Sequence, residues 1–463
     1  MRRAPERPAP PAAASSDVVI RWSLIVVLVL APLLFGAFFP WVFGPLHVVA
    51  YAAGLFVLAR GQRARRDREA SPALPAQKPI LAFGALILLQ LVPLPPPVLR
   101  LVSPGTFDFH TSQMLVPLSA WKPVSVSPAD TFFGLVYFVG MALLYLAVFR
   151  LFQGERAARP LLRAVVYVGM VMTFVALVQK ASGVQKPYGL LEVEDGWAVL
   201  GPYLSPSHFA GYLVMAIPLG LGFTAESLQE LQRLWARRRV GWLALGEPAG
   251  SAFVRRGAEA MVLVVGLVAA ASRGAFVGFV FSVVVFAALT RRRLLLVGIA
   301  LVAVLGVSWI GLDAILQGFA SRGVEGSRLA LWRDALRMFP DFPLLGLGFN
   351  AFGMAYRHYQ TFWIVYFIQA AHNEYLDLLL TMGLVGVAIG LWACVRLAPP
   401  LFARARRSPV DAGVLAAVLG LACHNLVDFN WQIQANAATF VALLALAVRP
   451  PLDPPRTAPL ESA

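Results

Sequence analysis

AEAMVLVVGLVAAASRGAFVGFVFSVVVFAALTRRR, residues 258–293, decides the fold class. Two apolar runs, 258–271 and 275–290, are separated by little more than Ser272-Arg273-Gly274, and the second ends on Arg291-Arg292-Arg293. Neither run alternates polar and apolar residues as a half-buried strand does. A bilayer core needs about 20 apolar residues in a helix. The two runs therefore read as membrane-crossing helices, somewhat short and so tilted or partly re-entrant, joined by a connection too tight to be a real loop. A spanning backbone must satisfy its own hydrogen bonds, which leaves helices or a closed barrel, and the chain has no alternating barrel pattern.

The same pattern recurs outward from this pair. Of the 463 residues, 59% are hydrophobic and 14% charged, with a mean hydropathy of +0.71, against about a quarter charged in soluble domains. Apolar runs at 22–41, 43–59, 79–94, 130–149, 161–180, 207–224, 258–271, 275–290, 294–311, 374–393, 410–428 and 435–448 predict an all-α membrane protein of about 12 transmembrane helices. The expected organisation is a tail (1–21), an N-terminal transmembrane bundle (22–200), a second transmembrane region (201–448) with a helical outer loop (312–372) between the ninth and tenth spans, and a tail (449–463). The Pro/Ala-rich, basic start has no cleavable-signal pattern, so Trp22 onward reads as a retained span. Cys394 and Cys423 fall inside apolar runs and read as small core residues. No internal repeat of the inverted-transporter type is evident.

The formal net charge of +15 does not point to nucleic acid, because of where the charges lie. Arg60 to Arg68, Arg237 to Arg239, Arg291 to Arg293 and Arg404 to Arg407 sit in short segments between apolar runs. With both termini cytoplasmic, most of the 39 Lys and Arg face inward, as the positive-inside rule requires. Arg100, Lys122, Lys180, Lys186, Arg273, Arg322, Arg328, Arg333, Arg337 and Arg357 remain on or near the outer side, five of them in the 312–372 loop. Orientation does not explain that cluster; an anionic ligand does. Arg333 and Arg337 read instead as partners of Glu325, Asp334 and Asp341.

Four outer stretches can carry chemistry. Arg273, at membrane depth, needs a cavity or a partner, and its guanidinium can hold phosphate bidentately. Ser327-Arg328-Leu329-Ala330-Leu331-Trp332 opens an amphipathic helix running to Met338, followed by a glycine-rich turn, Gly346 to Phe352. Ala371-His372-Asn373-Glu374-Tyr375-Leu376 starts the tenth span, where a helix N-terminus keeps imidazole neutral. Gly201 to Tyr212 is either a capped helix start, Ser205 followed by Pro206, or a segment whose Ser207 and His208 face the same outer cavity. Paired outer aspartates and a Gly-Lys-Ser/Thr phosphate loop are absent, so the reading needs neither a metal nor a cofactor; the substrate would bring its own leaving group.

These stretches resemble the O-antigen ligase and O-antigen polymerase superfamily of bacterial membrane glycosyltransferases. Ser-Arg-Gly-Ala at 272–275, Arg-x-x-x-Trp at 328–332, Gly-x-Gly-x-Asn at 346–350 and His-Asn-Glu-Tyr-Leu at 372–376 occur in that family's order, ahead of two closing spans. Residues 206–212 look like the family's Asn-Pro-Asn-His-Phe-Ala-Gly-Tyr, with Ser205 and Ser207 replacing its asparagines, and Asp428-Phe429 is also similar. The resemblance implies an inner-membrane enzyme that transfers a glycan from an undecaprenyl-diphosphate carrier, with inversion and without metal, to a lipid A core or polysaccharide repeat-unit acceptor in the periplasm. It implies that Arg273 and Arg328 hold the diphosphate and that His372 activates or orients the acceptor hydroxyl. Ser272, Trp332, Asn350, Asn373, Tyr375, Ser207 and His208 are the expected substrate-binding set. Protein O-glycosylation shares the same motifs. From another class, a solute or lipid-linked-sugar transporter would place charges at mid-membrane; a pure scaffold would leave the outer arginines without a purpose.

Overall fold

The computed structural model describes residues 15–66, 73–112, 120–192, 198–238, 246–291, 324–362 and 367–450. In chain order the helices are α1 (Ser15–Leu33), α2 (Pro40–Arg66), α3 (Gln77–Leu91), α4 (Pro96–Val102), α5 (Pro104–Ser112), α6 (Pro128–Leu151), α7 (Glu155–Ser182), α8 (Pro206–Arg238), α9 (Pro248–Ala270), α10 (Arg273–Thr290), α11 (Val324–Met338), α12 (Phe352–Tyr356), α13 (Glu374–Ala405), α14 (Pro409–His424) and α15 (Gln434–Ala447). Sheet structure among these residues is one antiparallel pair, Pro93–Leu94 with Lys122–Pro123.

Seven of the helices, α1, α2, α6, α7, α8, α10 and α13, are long and apolar enough to cross a bilayer. Three more expected spans fall on the shorter apolar helices α3, α14 and α15. The run 258–271 is the second half of α9, whose first half carries Arg255 and Arg256, so that the helix as a whole is not uniformly apolar. The run 294–311 lies outside the described residues. The described chain therefore shows seven spans by length and composition where the sequence suggests twelve. One further reading is corrected: Cys394 lies on an exposed face of α13 and is not a core residue.

Helix α8 is the centre of the bundle. From Phe209 to Leu219 its apolar residues are buried on every side, the pattern of a helix enclosed by others, and it packs against α9, α10 and α14. Glycines set these approaches. A Cβ on Gly413 would meet the Pro218 carbonyl, and one on Gly278 would stand 2.9 Å from the Gly420 carbonyl.

Connections gather at two ends. At one, Tyr188 donates to the Leu33 carbonyl, Ser207 meets Ser272, and Glu374 N–H donates to the Asn425 carbonyl at 3.0 Å. At the other lie the arginine-bearing connections, where Arg159 bonds Glu226 and Gly222 abuts Pro409.

A smaller apolar core caps the first end. Leu331, Ala335 and Met338 of α11, Phe342, Leu347, Phe352 and Tyr356 pack onto Leu376 and Leu380 of α13. Below this cap α13 is broken at Gly383 (φ 63°). The loop 343–348 enters the break: Leu384 and Val385 donate to the Pro343 and Leu344 carbonyls, and Leu347 and Gly348 to the Leu380 and Thr381 carbonyls. Gln90 of α3 seals it, donating to the Leu345 and Thr381 carbonyls and accepting from Phe349 N–H at 2.9 Å. Non-helical backbone at this depth is tolerated because each freed group finds a protein partner. The Gly346-x-Gly348 pair is thereby explained. Both have positive φ, and a Cβ on Gly346 would strike the Thr381 backbone.

Candidate active site

The turn between α14 and α15 is where the candidate residues meet. Arg328, in the first half of α11, donates to the Val427 carbonyl at 3.1 Å, and its Nε stays unpaired. The residue after Arg273 packs on the same spot: a Cβ on Gly274 would come 2.6 Å from the Val427 side chain and 3.3 Å from the His424 ring. Only a glycine lets the Ser-Arg-Gly turn lie this close. His372 contacts the Phe429 ring edge-on at 4.6 Å between centroids, and His208 contacts the same ring at 4.7 Å. Three consecutive residues, Val427 to Phe429, thus join segments from four distant parts of the chain.

Ser272 N-caps α10, accepting from Ala275 N–H at 3.4 Å, and its hydroxyl lies 3.1 Å from that of Ser207. Helix α8 begins at Pro206 as the Ser205-Pro206 signal predicts. Ser207 and His208 lie in the first turn of this helix, against Ser272 and Phe429. His208 Nε2 faces Asp428 Oδ1 at 3.5 Å, and His424 Nε2 faces Asp428 Oδ2 at 3.3 Å.

His372 does not occupy the first turn of a helix. It stands two residues ahead of α13 with a left-handed φ of 52°, strain that the packing around it must hold in place. Asn373 is the cap, accepting from Tyr375 and Leu376 N–H at 3.1 Å each. Burial and the Arg328 guanidinium push the His372 imidazole down to about 4, with Asp428 opposing the shift. Burial and a neighbouring cation keep the ring neutral. Its Nδ1 has no hydrogen-bond partner. Burial raises Asp428, but the imidazoles of His208 and His424 outweigh it and hold the carboxyl well below the usual carboxylate range.

Other expected binding residues spend their polar groups on the fold. Trp332 Nε1 donates to the Ala371 carbonyl at 2.8 Å, positioning the segment that carries His372. Tyr375 donates to the Ala422 carbonyl at 2.7 Å. Asn350 donates to the Asp130 carbonyl at 3.2 Å at the start of α6, and among the described residues this is its side-chain hydrogen bond. Arg337 and Arg333 lie 3.5 and 4.0 Å from Asp334, the pairing their spacing suggests.

His424, Asn425, Asn430 and Asn436 complete the site without having been singled out as site residues by sequence reasoning. A signal was present: His424-Asn425 and Asp428 to Asn430 interrupt apolar sequence close to a span end, and polar groups at that depth need a purpose. Among the described residues no group of three or more His, Cys, Asp or Glu is arranged as metal ligands.

Comparison with curated proteins finds no match. Residues 260–391 match the family model described as O-Antigen ligase. That stretch includes Ser272 to Ala275, Arg328, Gly346 to Asn350 and His372, and over it the chain is similar to the O-antigen ligase family.

Proposed function

We propose that this protein transfers a glycan from an undecaprenyl-diphosphate carrier to a saccharide acceptor, a lipid A core or a polysaccharide repeat unit, with inversion and without metal. The observation that carries this reading is the convergence of Arg328, the Ser272-Arg273-Gly274 turn and His372 on Val427 to Phe429. Two guanidinium groups brought to one turn would clamp a diphosphate and stabilise the charge that grows on it as it leaves. His372, neutral above about pH 4, offers Nδ1 to an acceptor hydroxyl without being drained by protonation. Ser207, His208 and Ser272 line the same turn and would hold the sugar; Asn373, Tyr375 and Trp332 would act behind them, and Asn350 would bind substrate away from this turn, beside α6.

Orientation follows from charge. The end carrying Arg60, Arg159, Arg291 and Arg404 to Arg407 belongs in the cytoplasm by the positive-inside rule. The cluster then faces the periplasmic side of the inner membrane. On this reading residues 22–200 form a supporting bundle and 201–448 the catalytic region.

The test is release of undecaprenyl diphosphate by the purified protein, in EDTA, with lipid A core, with free repeat units, with a serine-containing acceptor protein, or with no acceptor. Release that requires one saccharide acceptor and is lost in folded Arg273→Ala, Arg328→Ala and His372→Ala variants supports the reading. Release that requires the acceptor protein moves the activity to protein O-glycosylation. No release with any acceptor overturns it.

A further inference from the structure

We infer that His208, held by Asp428, is the group that takes the proton from the acceptor hydroxyl, and that Asp428 and His424 are positioning residues behind it. The inference rests on the transferase reading above and adds the residue that accepts the proton.

The argument starts at one backbone carbonyl. Asn436 Nδ2 donates to the His208 carbonyl at 2.8 Å, which fixes its amide orientation because a carbonyl can only accept. Asn436 Oδ1 therefore faces Tyr203, whose hydroxyl donates to it at 2.8 Å. The remaining Asn436 N–H donates to Asn430 Oδ1 at 2.9 Å. That orients Asn430 in turn, so its Nδ2 is the donor to His424 Nδ1 at 3.3 Å. A ring nitrogen that accepts carries no proton. The His424 proton is thus on Nε2, facing Asp428 Oδ2 at 3.3 Å.

Asp428 Oδ2 lies 3.3 Å from His424 Nε2 with no hydrogen bond closed between them, while Oδ1 accepts Phe429 N–H at 2.9 Å and faces His208 Nε2 at 3.5 Å. A carboxylate only accepts, so the His208 proton belongs on Nε2, and Nδ1 carries the lone pair. Exposure shows where the network opens. Asp428 and His424 side chains are 2% and 1% exposed, whereas His208 keeps 13%. A chain of four buried groups, Tyr203, Asn436, Asn430 and His424, stands behind Asp428, the carboxylate that faces this one accessible imidazole. His208 is also adjacent in sequence to Ser207, which meets Ser272 beside Arg273, so the base would stand next to the diphosphate anchor.

His372 is less suited to that step. The Arg328 cation beside it and its burial disfavour a second proton, and an effective general base needs a proton affinity near the working pH. It is left to orient the hydroxyl.

In the step, the acceptor O–H bond breaks and its proton goes to His208 Nδ1. The oxygen lone pair forms the bond to the anomeric carbon from the face opposite the leaving group. The glycosidic C–O bond breaks with its electron pair on the diphosphate oxygen, which leaves as undecaprenyl diphosphate, and His208 returns the proton to water. Nothing is oxidised or reduced.

The experiment measures kcat and the KM of both substrates for His208→Gln, His208→Ala and Asp428→Asn, the alanine variant with and without added imidazole. Gln can still donate to Asp428 but cannot take a proton, which separates chemistry from folding. His208→Gln should lose about 100-fold in kcat, the usual contribution of a general base, at unchanged donor KM. Imidazole should restore at least about a tenth of the activity lost in His208→Ala. Asp428→Asn, which offers one histidine an N–H where it needs an acceptor, should lower kcat without raising either KM. His208→Gln within threefold of wild type overturns the inference, and so does His208→Ala that imidazole leaves unchanged. Wild-type protein with no turnover on any acceptor would instead remove the transferase reading beneath it.

Discussion

The two ends of the bundle handle charge in opposite ways. At the arginine end the recurring partner of a guanidinium is a carboxylate. Arg159 makes two bonds to Glu226, Arg163 bonds Glu259 at 3.0 Å, and Arg404 bonds Asp411 at 2.9 Å with Arg449 3.7 Å from the same carboxylate. Phe223 underlies three of the guanidinium groups at 4.9 to 6.0 Å. At the other end Arg328 is paired with a carbonyl, and two histidines share one aspartate. One end sets its arginines against carboxylates of the chain. The other leaves cationic and hydrogen-bonding capacity over, as an anionic substrate requires.

The sharpest way to break this comparison is to remove a carboxylate from the arginine end. Asp411 is buried, accepts from Ser408 as well as Arg404, and is the near anion for Arg449, whose guanidinium burial and Arg404 together push down to about 10. Asp411→Ala leaves two buried cations without a partner, and stripping one member of a buried pair costs about 3–5 kcal/mol. The expected result is a large fall in detergent-solubilised Tm with turnover per folded molecule unchanged. Loss of turnover without loss of stability would show that this end also serves the chemistry.

How far the sequence carries depends on the same division. The positions of the apolar runs follow from composition alone, since nothing but a helix satisfies such a backbone in lipid. The start of α8 at Pro206 and the end of α11 at Met338 agree with capping and periodicity. The cluster was half legible. Arg273, Arg328 and His372 stood out because cations and imidazoles on the outer side have no topological purpose. His424 and Asn430 did not, because their role comes from meeting Asp428 and Asn436 across a turn, and spacing along one chain does not reveal which turns meet. The glycines of Gly346-x-Gly348 carried little weight by themselves and acquire their meaning from a break in α13, 35 residues away at Gly383, that no local pattern announces.

The next effect in size tests the histidine that this end keeps neutral. His372 is lowered from about 6.5 to about 4 in the folded protein, by burial first and then Arg328, with Asp428 opposing and His208 adding to it. The unfolded chain therefore binds the proton first as pH falls. The stability present above pH 6.5 is lost between about 6.5 and 4, and below that no more is lost through this group. Two and a half units correspond to about 3 kcal/mol. Wild-type Tm should fall more steeply than that of His372→Phe across this window. Parallel curves would mean that the ring protonates freely and that the site is wetter than its burial indicates.

The smallest expected difference uses one helix as its own control. Gly211 and Gly222 lie three turns apart on α8, the first near its start and the second at its middle, and each admits a neighbour where a side chain would collide. At Gly222 the obstacle is backbone: a Cβ would sit 2.8 Å from the Pro409 carbonyl and 3.0 Å from Val410 Cα. Backbone cannot swing aside, so Gly222→Ala should cost about 1–3 kcal/mol and leave turnover within twofold. At Gly211 the obstacle is the Asn430 amide, the side chain that fixes the His424 tautomer. It can rotate away cheaply, but doing so releases His424 and Asn436 together. Gly211→Ala should therefore cost less stability than Gly222→Ala while lowering kcat several-fold, an inversion that packing loss alone does not produce. If the two alanines instead lower stability and turnover in proportion, the two positions on α8 are mechanically alike and the division of labour between them fails.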